Sequence, residues 1–369
     1  MNIMLIYGGK SCEHDVSIIT ACITANPLKN IGKVYFVYVD QQNCWWLLSK
    51  QLTPFEHKTD YKKCGKRVFL TAGDANLKSI SAFNIVKNVA KIDVCVPCFH
   101  GVNGEDGSVS GVLQLSNIPY TCGNTFALGA SMDKIATKTI LRGIGARVLP
   151  CVLAKNKTEK IKKSVKKMGY PVIVKPANLG SSIGIAVCNS EEELEKALDV
   201  AFSFDNRVMV ERCLTDFYEV NCSALRLNGK VEIGDLERPI SKDKILTFAD
   251  KYANGGKTVG EGRIFPYDFD YASYIKIWTK RIYNAFNFDG VIRVDFLVDN
   301  VSNEVYVNEV NAIPGSLAYY LWKNKYSHEQ LLKSLINEAI ANKTKKDVLN
   351  YAYKSDILNQ IKGNKNKLT

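Results

Sequence analysis

The sequence predicts an α/β protein built on an open sheet, and three stretches carry that reading. Residues 1–40 alternate strand, helix and strand: "NIMLIY", a helical segment over Asp15–Asn30, then "KVYFVYVD". Two apolar strands, "YPVIVKP" and "IGIAVC", flank a loop rich in glycine and serine. The stretch 289–311, "DGVIRVDFLVDNVSNEVYVNEVN", reads as two strands joined by a turn at Asp299–Asn303.

The elements follow in order from these anchors. Strands at "DVCVPCF" and "IPYTCG" continue the alternation, giving a first open-sheet unit over residues 1–123. A helix around Met132–Gly143 leads to a second unit, 124–214, containing the strands "ARVLPCVLA", "YPVIVKP", "IGIAVC" and "NRVMVERCL". In "KNKTEKIKKSVKKMG" (155–169), Ile161, Val165 and Met168 recur at helical spacing, so the lysines form a solvated helix face. Ser190-Glu-Glu-Glu193 reads as a capping box opening a helix through Ala201. A third unit, 215–345, is rich in strands, with a long polar loop at 250–263, and closes on a helix capped by Ser327-His-Glu-Gln330. A basic tail covers 346–369.

Composition excludes several classes. At 369 residues, 46% hydrophobic and 23% charged, the chain has material for two or three cores and no signature of disorder. No stretch reaches the roughly 18 to 20 apolar residues that a membrane helix needs, and no secretory leader is visible, so a soluble cytoplasmic protein is expected. The formal charge of +12 comes largely from the 155–169 helix and the tail. No zinc finger or stacking motif accompanies it, so anionic small molecules are the expected partners rather than nucleic acid or a membrane. Eleven cysteines are irregularly spaced and mostly within apolar runs. Cys95-Val-Pro-Cys98 lies in a strand rather than at a helix start, which favours a structural pair over a redox one.

"MLIYGGKSCEHDVS" (4–17) ends like a phosphate-binding P-loop, but five residues before Gly9 the chain is at Met4, in mid-strand, so the phosphate wrap cannot form. What remains is a strand-end turn followed by Glu13, either a carboxylate for a substrate ammonium group or a charge favouring a helix N-terminus. A nucleotide has a better place at "YPVIVKPANLGSSIGIAV" (170–187). There Lys175 ends a strand and backbone N–H groups of the loop could cover phosphates, with Lys134 of "SMDK" as a second lysine.

The hairpin at 289–311 carries the densest chemistry. Arg293 and Asp295 are two apart and share a strand face, as do Glu309 and Asn311 on the next strand. Three oxygen donors, Asp295, Glu309 and Asn311, beside one arginine suit Mg²⁺ bridging ATP phosphates. The alternating Val, Phe and Leu opposite them argue against a merely polar surface hairpin. The Gly315 N–H in "NAIPGSLAYY" could stabilise a developing oxyanion. His100 in "FHGVNGEDG" reads equally as a general base or as a structural hydrogen-bonding group.

The motifs "GGKSCEHDVS", "FHGVNGEDGSVSGVLQL", "SMDK", "VIVKPANLGSSIGI", "DKY", "RVDF" and "NEVNAIPG" occur in an order that resembles the D-alanine–D-alanine ligase family of ATP-grasp enzymes over roughly residues 2–342. The resemblance implies an ATP-grasp architecture, in which an N-terminal α/β domain precedes two α+β subdomains that clamp ATP. It implies ATP attack by a D-alanine carboxylate, an acylphosphate, and displacement of phosphate by a second D-amino acid, for peptidoglycan precursor synthesis. Glu13, Ser181 and Tyr252 would form a triad near the first substrate, with His100 nearby. Lys134, Lys175, Ser181, Ser182 and Lys251 would hold ATP, with Glu211 at the adenine and Glu219 at the ribose. Asp295, Glu309 and Asn311 would bind two Mg²⁺, with Mn²⁺ as a substitute, and Arg293 with the Gly315 N–H would form the oxyanion site. The family pattern also implies a homodimer. One departure stands out: where ordinary members carry a serine-leucine pair for the second substrate's carboxylate, this chain has Tyr320-Leu321, with Ser316 as a substitute anchor. Lys251-Tyr252 favours an amino-acid acceptor, D-alanine first and D-serine next.

Overall fold

A computed structural model describes residues 1–81, 83–240 and 262–349. Its strands form three sheets. The first strand, β1 (Asn2–Gly8), is almost wholly buried because five of its residues are large and apolar. It pairs in parallel with β2 (Lys33–Val39), reached through helix α1 (His14–Lys29). Short antiparallel strands extend this edge: β3 (Trp45–Leu48), then, after helix α2 (Tyr61–Cys64), β4 (Gly65–Thr71), β5 (Asp74–Ile80) and β6 (Val86–Lys91). On the other side of β1 lies β7 (Val94–Pro97), again parallel. The seven-stranded order is therefore β6-β5-β4-β3-β2-β1-β7. Because the chain leaves β1 toward β2 but returns to its other side as β7, a crevice opens at the carboxyl ends of these strands, where ligands bind in open α/β sheets.

Helices α3 (Ser108–Leu115), α4 (Thr125–Met132) and α5 (Lys134–Gly143) follow. Asp133 accepts from the N–H groups of Ile135 and Ala136 and so caps α5, which matches the helix expected around Met132–Gly143. The second sheet, in the order β10-β9-β11-β8, contains β8 (Cys151–Ala154), β9 (Val172–Pro176), β10 (Ala186–Cys188) and β11 (Val208–Arg212). Helices α6 (Glu159–Met168) and α7 (Glu191–Phe202) belong with it. Val165 is the buried residue of α6, and its lysine face is solvated as its periodicity predicts. Ser190 caps α7, but Glu193 turns back to the Asn189 N–H rather than completing a capping box.

The third sheet runs β14-β13-β12-β15-β16. Its strands are β12 (Phe217–Leu227), β13 (Lys230–Pro239), β14 (Arg263–Ile264), β15 (Val291–Asp299) and β16 (Val305–Asn311). Helix α8 (Ala272–Ala285) packs on β12 and β13, and α9 (His328–Asp347) opens on a full Ser327/Gln330 capping box. The expected hairpin is present, with a bulge: Asp295 pairs with Glu309, yet Phe296 pairs with Val307. The extra residue, Asn308, resets the alternation, so Val307 and Val310 both enter the core while Glu309 and Asn311 stay out of it.

Two expectations need correction, and a third is untested. "IPYTCG" is not a strand; it makes an isolated bridge between Tyr120 and Cys95, since Pro119 and Gly123 interrupt any ladder. The final helix runs to Asp347 rather than about Ala341. The 250–263 loop falls almost entirely outside the described residues.

Candidate active site

Glu13, from the turn before α1, is buried and accepts a short hydrogen bond from Ser181 Oγ, 168 residues along the chain. Two glycines make room for it. A Cβ on Gly180 would stand 2.6 Å from the Glu13 carboxylate, and one on Gly101 2.8 Å. The Gly8-Gly9 turn that aims this segment has both residues at positive φ, and the Ser17 hydroxyl ties it down by accepting from Gly8 N–H (2.8 Å) and donating to the Cys98 carbonyl (2.6 Å). Ser181 and Ser182 also sit at positive φ (54° and 60°), a backbone that non-glycine residues adopt at a cost of about 1 kcal/mol or more.

His100, at the end of β7, is buried, and its Nε2 lies 2.8 Å from Thr20 Oγ1. Burial and the nearby Arg293 charge push its imidazole down to about 4, so it is neutral at ordinary pH. Thr20 also accepts from the Ser316 N–H (3.2 Å), joining α1 to the turn after Gly315. That turn is unusual: Ser316, Leu317 and Ala318 all have φ near +50°.

Sequence reasoning quoted Glu105 without giving it a role. One oxygen accepts from Gly101 N–H (2.8 Å) and the other from Ile313 N–H (3.1 Å), so a single carboxylate braces two loops that meet at the site. Burial and the charge of Glu13 push it up to about 8, against the pull of both N–H groups. Its signal in the sequence was a carboxylate set between glycines in "FHGVNGEDG".

The lysines gather across the second sheet. Lys134 N–H donates to Ala177 O (2.9 Å), and its ammonium makes a short hydrogen bond to the Leu179 carbonyl, which brings it to the glycine-serine loop. Burial lowers its pKa. Lys175 lies 2.8 Å from Glu211 Oε2, and Lys138 lies 2.6 Å from Glu211 Oε1, out of hydrogen-bond alignment, while donating to Val307 O (3.2 Å). Glu211 is fully buried, yet the two lysines outweigh its desolvation and hold its pKa below the usual carboxylate range. One carboxylate serves unequal partners. Desolvation prevails at Lys138 and lowers its pKa, whereas Glu211 prevails at Lys175 and raises it. Lys138 was not foreseen, although it lies one helical turn beyond Lys134.

On the third sheet, Glu237, Asn221, Asp295 and Glu309 form one row across β13, β12, β15 and β16. Glu219 shares the Asn221 face of β12 and contributes to the field at Arg293. Arg293 Nε and Nη2 clasp both oxygens of Asp295 (2.6 and 2.7 Å), and Nη1 meets the Tyr320 hydroxyl at 3.2 Å. Asn311 Nδ2 donates to Asp295 Oδ2 (3.0 Å), which leaves its amide oxygen to face a cation. Asp295 and Glu309 touch; burial and this like charge raise the Asp295 pKa against the pull of Arg293. Among the described residues no three His, Cys, Asp or Glu side chains are grouped so as to hold a metal ion by themselves. The donor set is two adjoining carboxylates and an amide oxygen, which fits a hard cation that keeps ligands from a phosphate or water. A Cβ on Gly315 would meet nothing within 4 Å, so open space faces that backbone. Lys251 and Tyr252 lie outside the described residues.

The arrangement brings together buried carboxylates able to pair with an ammonium group, lysines able to pair with phosphates, and an adjoining carboxylate pair able to hold a cation. Among the described residues no helix is long and apolar enough to cross a membrane. The family model described as "D-ala D-ala ligase N-terminus" matches residues 2–123, and "D-ala D-ala ligase C-terminus" matches 148–340. A D-alanine–D-alanine ligase of Thermosipho africanus is 35% identical over 348 residues, 92% of this chain and 93% of that one. The D-alanine–D-alanine ligase structure from Coxiella burnetii, 24% identical, shares the fold with a TM-score of 0.78 over 100% of this chain and 99% of the other. The VanG D-Ala:D-Ser ligase of Enterococcus faecalis is 25% identical, with a TM-score of 0.78 over 92% and 99% of the two chains. The chain belongs to the D-alanine–D-alanine ligase family and has its ATP-grasp fold.

Proposed function

We propose that this protein joins D-alanine to a second D-alanine with conversion of ATP to ADP and phosphate, supplying a dipeptide for peptidoglycan. The observation that supports the reading is the Glu13–Ser181 contact, which joins a buried carboxylate to the glycine-serine loop that Lys134 also reaches. Glu13 would bind the ammonium group of the first D-alanine, with Tyr252 completing the triad and neutral His100 donating or accepting a hydrogen bond nearby. Lys134, Lys175 and Lys251 would offset the phosphate charge that otherwise repels the attacking carboxylate. Ser181 and Ser182 would cover the phosphates, Glu211 would lie near the adenine and Glu219 near the ribose. Asp295, Glu309 and Asn311 would hold two Mg²⁺, which would neutralise the phosphate oxygens during transfer. Arg293 and the Gly315 N–H would stabilise the tetrahedral oxyanion formed when the second amine attacks the acylphosphate, with Ser316 and Tyr320 at the acceptor's carboxylate. The reading includes a cytoplasmic homodimer whose clamp is formed by residues 124–214 and 215–345 behind an N-terminal domain at 1–123.

The test is phosphate release from Mg²⁺-ATP with D-alanine as the only amino acid, and mass spectrometry of the product. D-Ala–D-Ala with one phosphate each is expected. The second reading, a D-Ala–D-Ser ligase, is favoured by Tyr320 at the acceptor end. It takes over if the enzyme is silent with D-alanine alone and active once D-serine is added.

A further inference from the structure

At the acceptor end, the spare valences of Arg293 and Tyr320 are informative. Asp295 occupies Nε and Nη2 of Arg293, and the third nitrogen donates to Tyr320 OH. The phenol oxygen is thus an acceptor there, and its own hydrogen has no acceptor among the described residues. Over the face of the same ring lies Arg263, its guanidinium carbon 4.9 Å from the centroid. Arg263 Nη1 donates to Glu237 Oε2 at 2.9 Å, and Asn221 Nδ2 holds the other Glu237 oxygen at 3.2 Å. Register accounts for the assembly. Arg263 on β14 pairs with Pro239, two residues from Glu237 on the same face of β13, and Glu237 pairs directly with Asn221. Glu237 and Asn221 are buried, whereas the Arg263 side chain is 30% exposed. The buried pair fixes the arginine through Nη1 while the side chain as a whole stays partly exposed.

We infer that Arg263 and Tyr320 together bind the α-carboxylate of the acceptor amino acid, in place of the serine anchor of ordinary family members. A guanidinium over the phenol ring, with N–H groups beyond the one that meets Glu237, adds donors to that of the phenol O–H, which suits a planar carboxylate better than a neutral amide. Each arginine already has one carboxylate partner, so the subsite selects by donor geometry rather than by net charge. The acceptor class is therefore a small α-amino acid with a free carboxylate, and Arg263 is a specificity residue supplied by a strand outside the quoted family motifs. The inference rests on the ligase reading above.

The experiment compares D-alanine and D-alaninamide as acceptors, with D-alanine saturating the donor site, for wild type, Arg263→Gln, Tyr320→Phe and Glu237→Gln. Wild type is expected to prefer D-alanine. Arg263→Gln raises the acceptor KM roughly ten- to hundredfold with the donor KM unchanged, and the preference over D-alaninamide shrinks by a similar factor. Tyr320→Phe does the same to a lesser degree. Glu237→Gln, which keeps the arginine charge but loosens it, raises the acceptor KM while retaining most of the preference. An unchanged acceptor KM in Arg263→Gln, or an equal loss with both acceptors, overturns the inference, because a merely structural role would not distinguish carboxylate from amide. Wild type silent with every acceptor would overturn the ligase reading itself, and this inference with it.

Discussion

Replacing Glu211 by Gln separates two roles for one residue. Glu211 has no exposed surface and stands between Lys138 at 2.6 Å and Lys175 at 2.8 Å, whose side chains are 2% and 11% exposed. Gln keeps the shape and removes the charge, leaving two buried ammonium groups to share neutral acceptors. Breaking a buried pair in this way costs roughly 3–5 kcal/mol, since the remaining charge stays desolvated. In a domain of this size that corresponds to a fall in Tm of about 5–10 °C. Lys138, whose pKa burial already lowers, can relieve part of the penalty by losing its proton. The variant's lysine pKa values then lie below their unfolded values, so its deficit should narrow as pH rises toward about 10. In wild type, as well as Lys138, the carboxylate is depressed. Its stabilisation is present above about 4.5, the unfolded value, and is lost as pH falls through the lower folded one. Scanning calorimetry without nucleotide is the assay, with Lys138→Met/Glu211→Gln expected to recover part of the loss. A nucleotide-free Tm within about 1 °C of wild type would refute the charge argument and leave Glu211 as a ligand-binding group alone.

Three further outcomes follow from the site. Glu309→Gln should abolish turnover while leaving the melting curve in place; a nearly active variant with a normal Mg²⁺ requirement would refute the metal assignment. Glu105, pushed up to about 8 by burial and Glu13, should release protons when an ammonium substrate binds at pH 7, since the added positive charge favours its ionised form. Calorimetric titration in two buffers of different ionisation heat would show this, and Glu105→Gln should remove it. The same raised pKa makes its contribution to stability fall as pH rises from about 4.5 to about 8. Cys98→Ala should leave activity within a few-fold, because the thiol is fully buried, pushed up to about 12 by that burial, and reaches only Thr24 at 3.9 Å; total loss of activity restored only by a thiol would revive a redox role.

What the sequence showed and what it hid divide along physical lines. Helix α6 was legible because its few apolar residues recur at helical spacing among lysines, and nothing competes with that period. The 291–311 hairpin was legible from alternation, and its spacing placed Arg293 beside Asp295 as found. The bulge at Asn308 was not, because one inserted residue looks like noise in a period of two. Strands β4 to β6 escaped notice for a different reason. Their residues are mostly polar and half-exposed, β5 burying only Leu77, so hydrophobic pattern has little to report. In the site, residue types were readable from the residues themselves, whereas the Glu13–Ser181 partnership came only through the family resemblance and the Glu105 partner not at all. Nothing local to Glu13 announces Ser181, and Glu105 becomes a brace only when the Ile313 N–H arrives from 208 residues away.

The partners that sequence could not supply also explain how the site divides its charge. Glu13 and Glu309 are near enough to Glu105 to raise its cost of ionisation. An acidic cluster of that kind favours any ligand that brings an ammonium group. Across from it, Lys134 points to the loop carbonyl at Leu179, and Lys138 and Lys175 are balanced by one carboxylate, which leaves that side short of negative charge. A zwitterion and a polyphosphate are therefore drawn to opposite ends. In the proposed reaction the carboxylate of the first and the terminal phosphate of the second would meet near Arg293 and the open space at Gly315. Glu105 ties the 99–107 loop to the segment before Gly315 through its two N–H bonds, so under the proposed function it would help fix the separation of the two subsites. Lengthening that brace, as in Glu105→Gln with its one remaining acceptor, should therefore lower kcat more than it raises either substrate's KM. The reverse pattern would place Glu105 in binding and not in alignment.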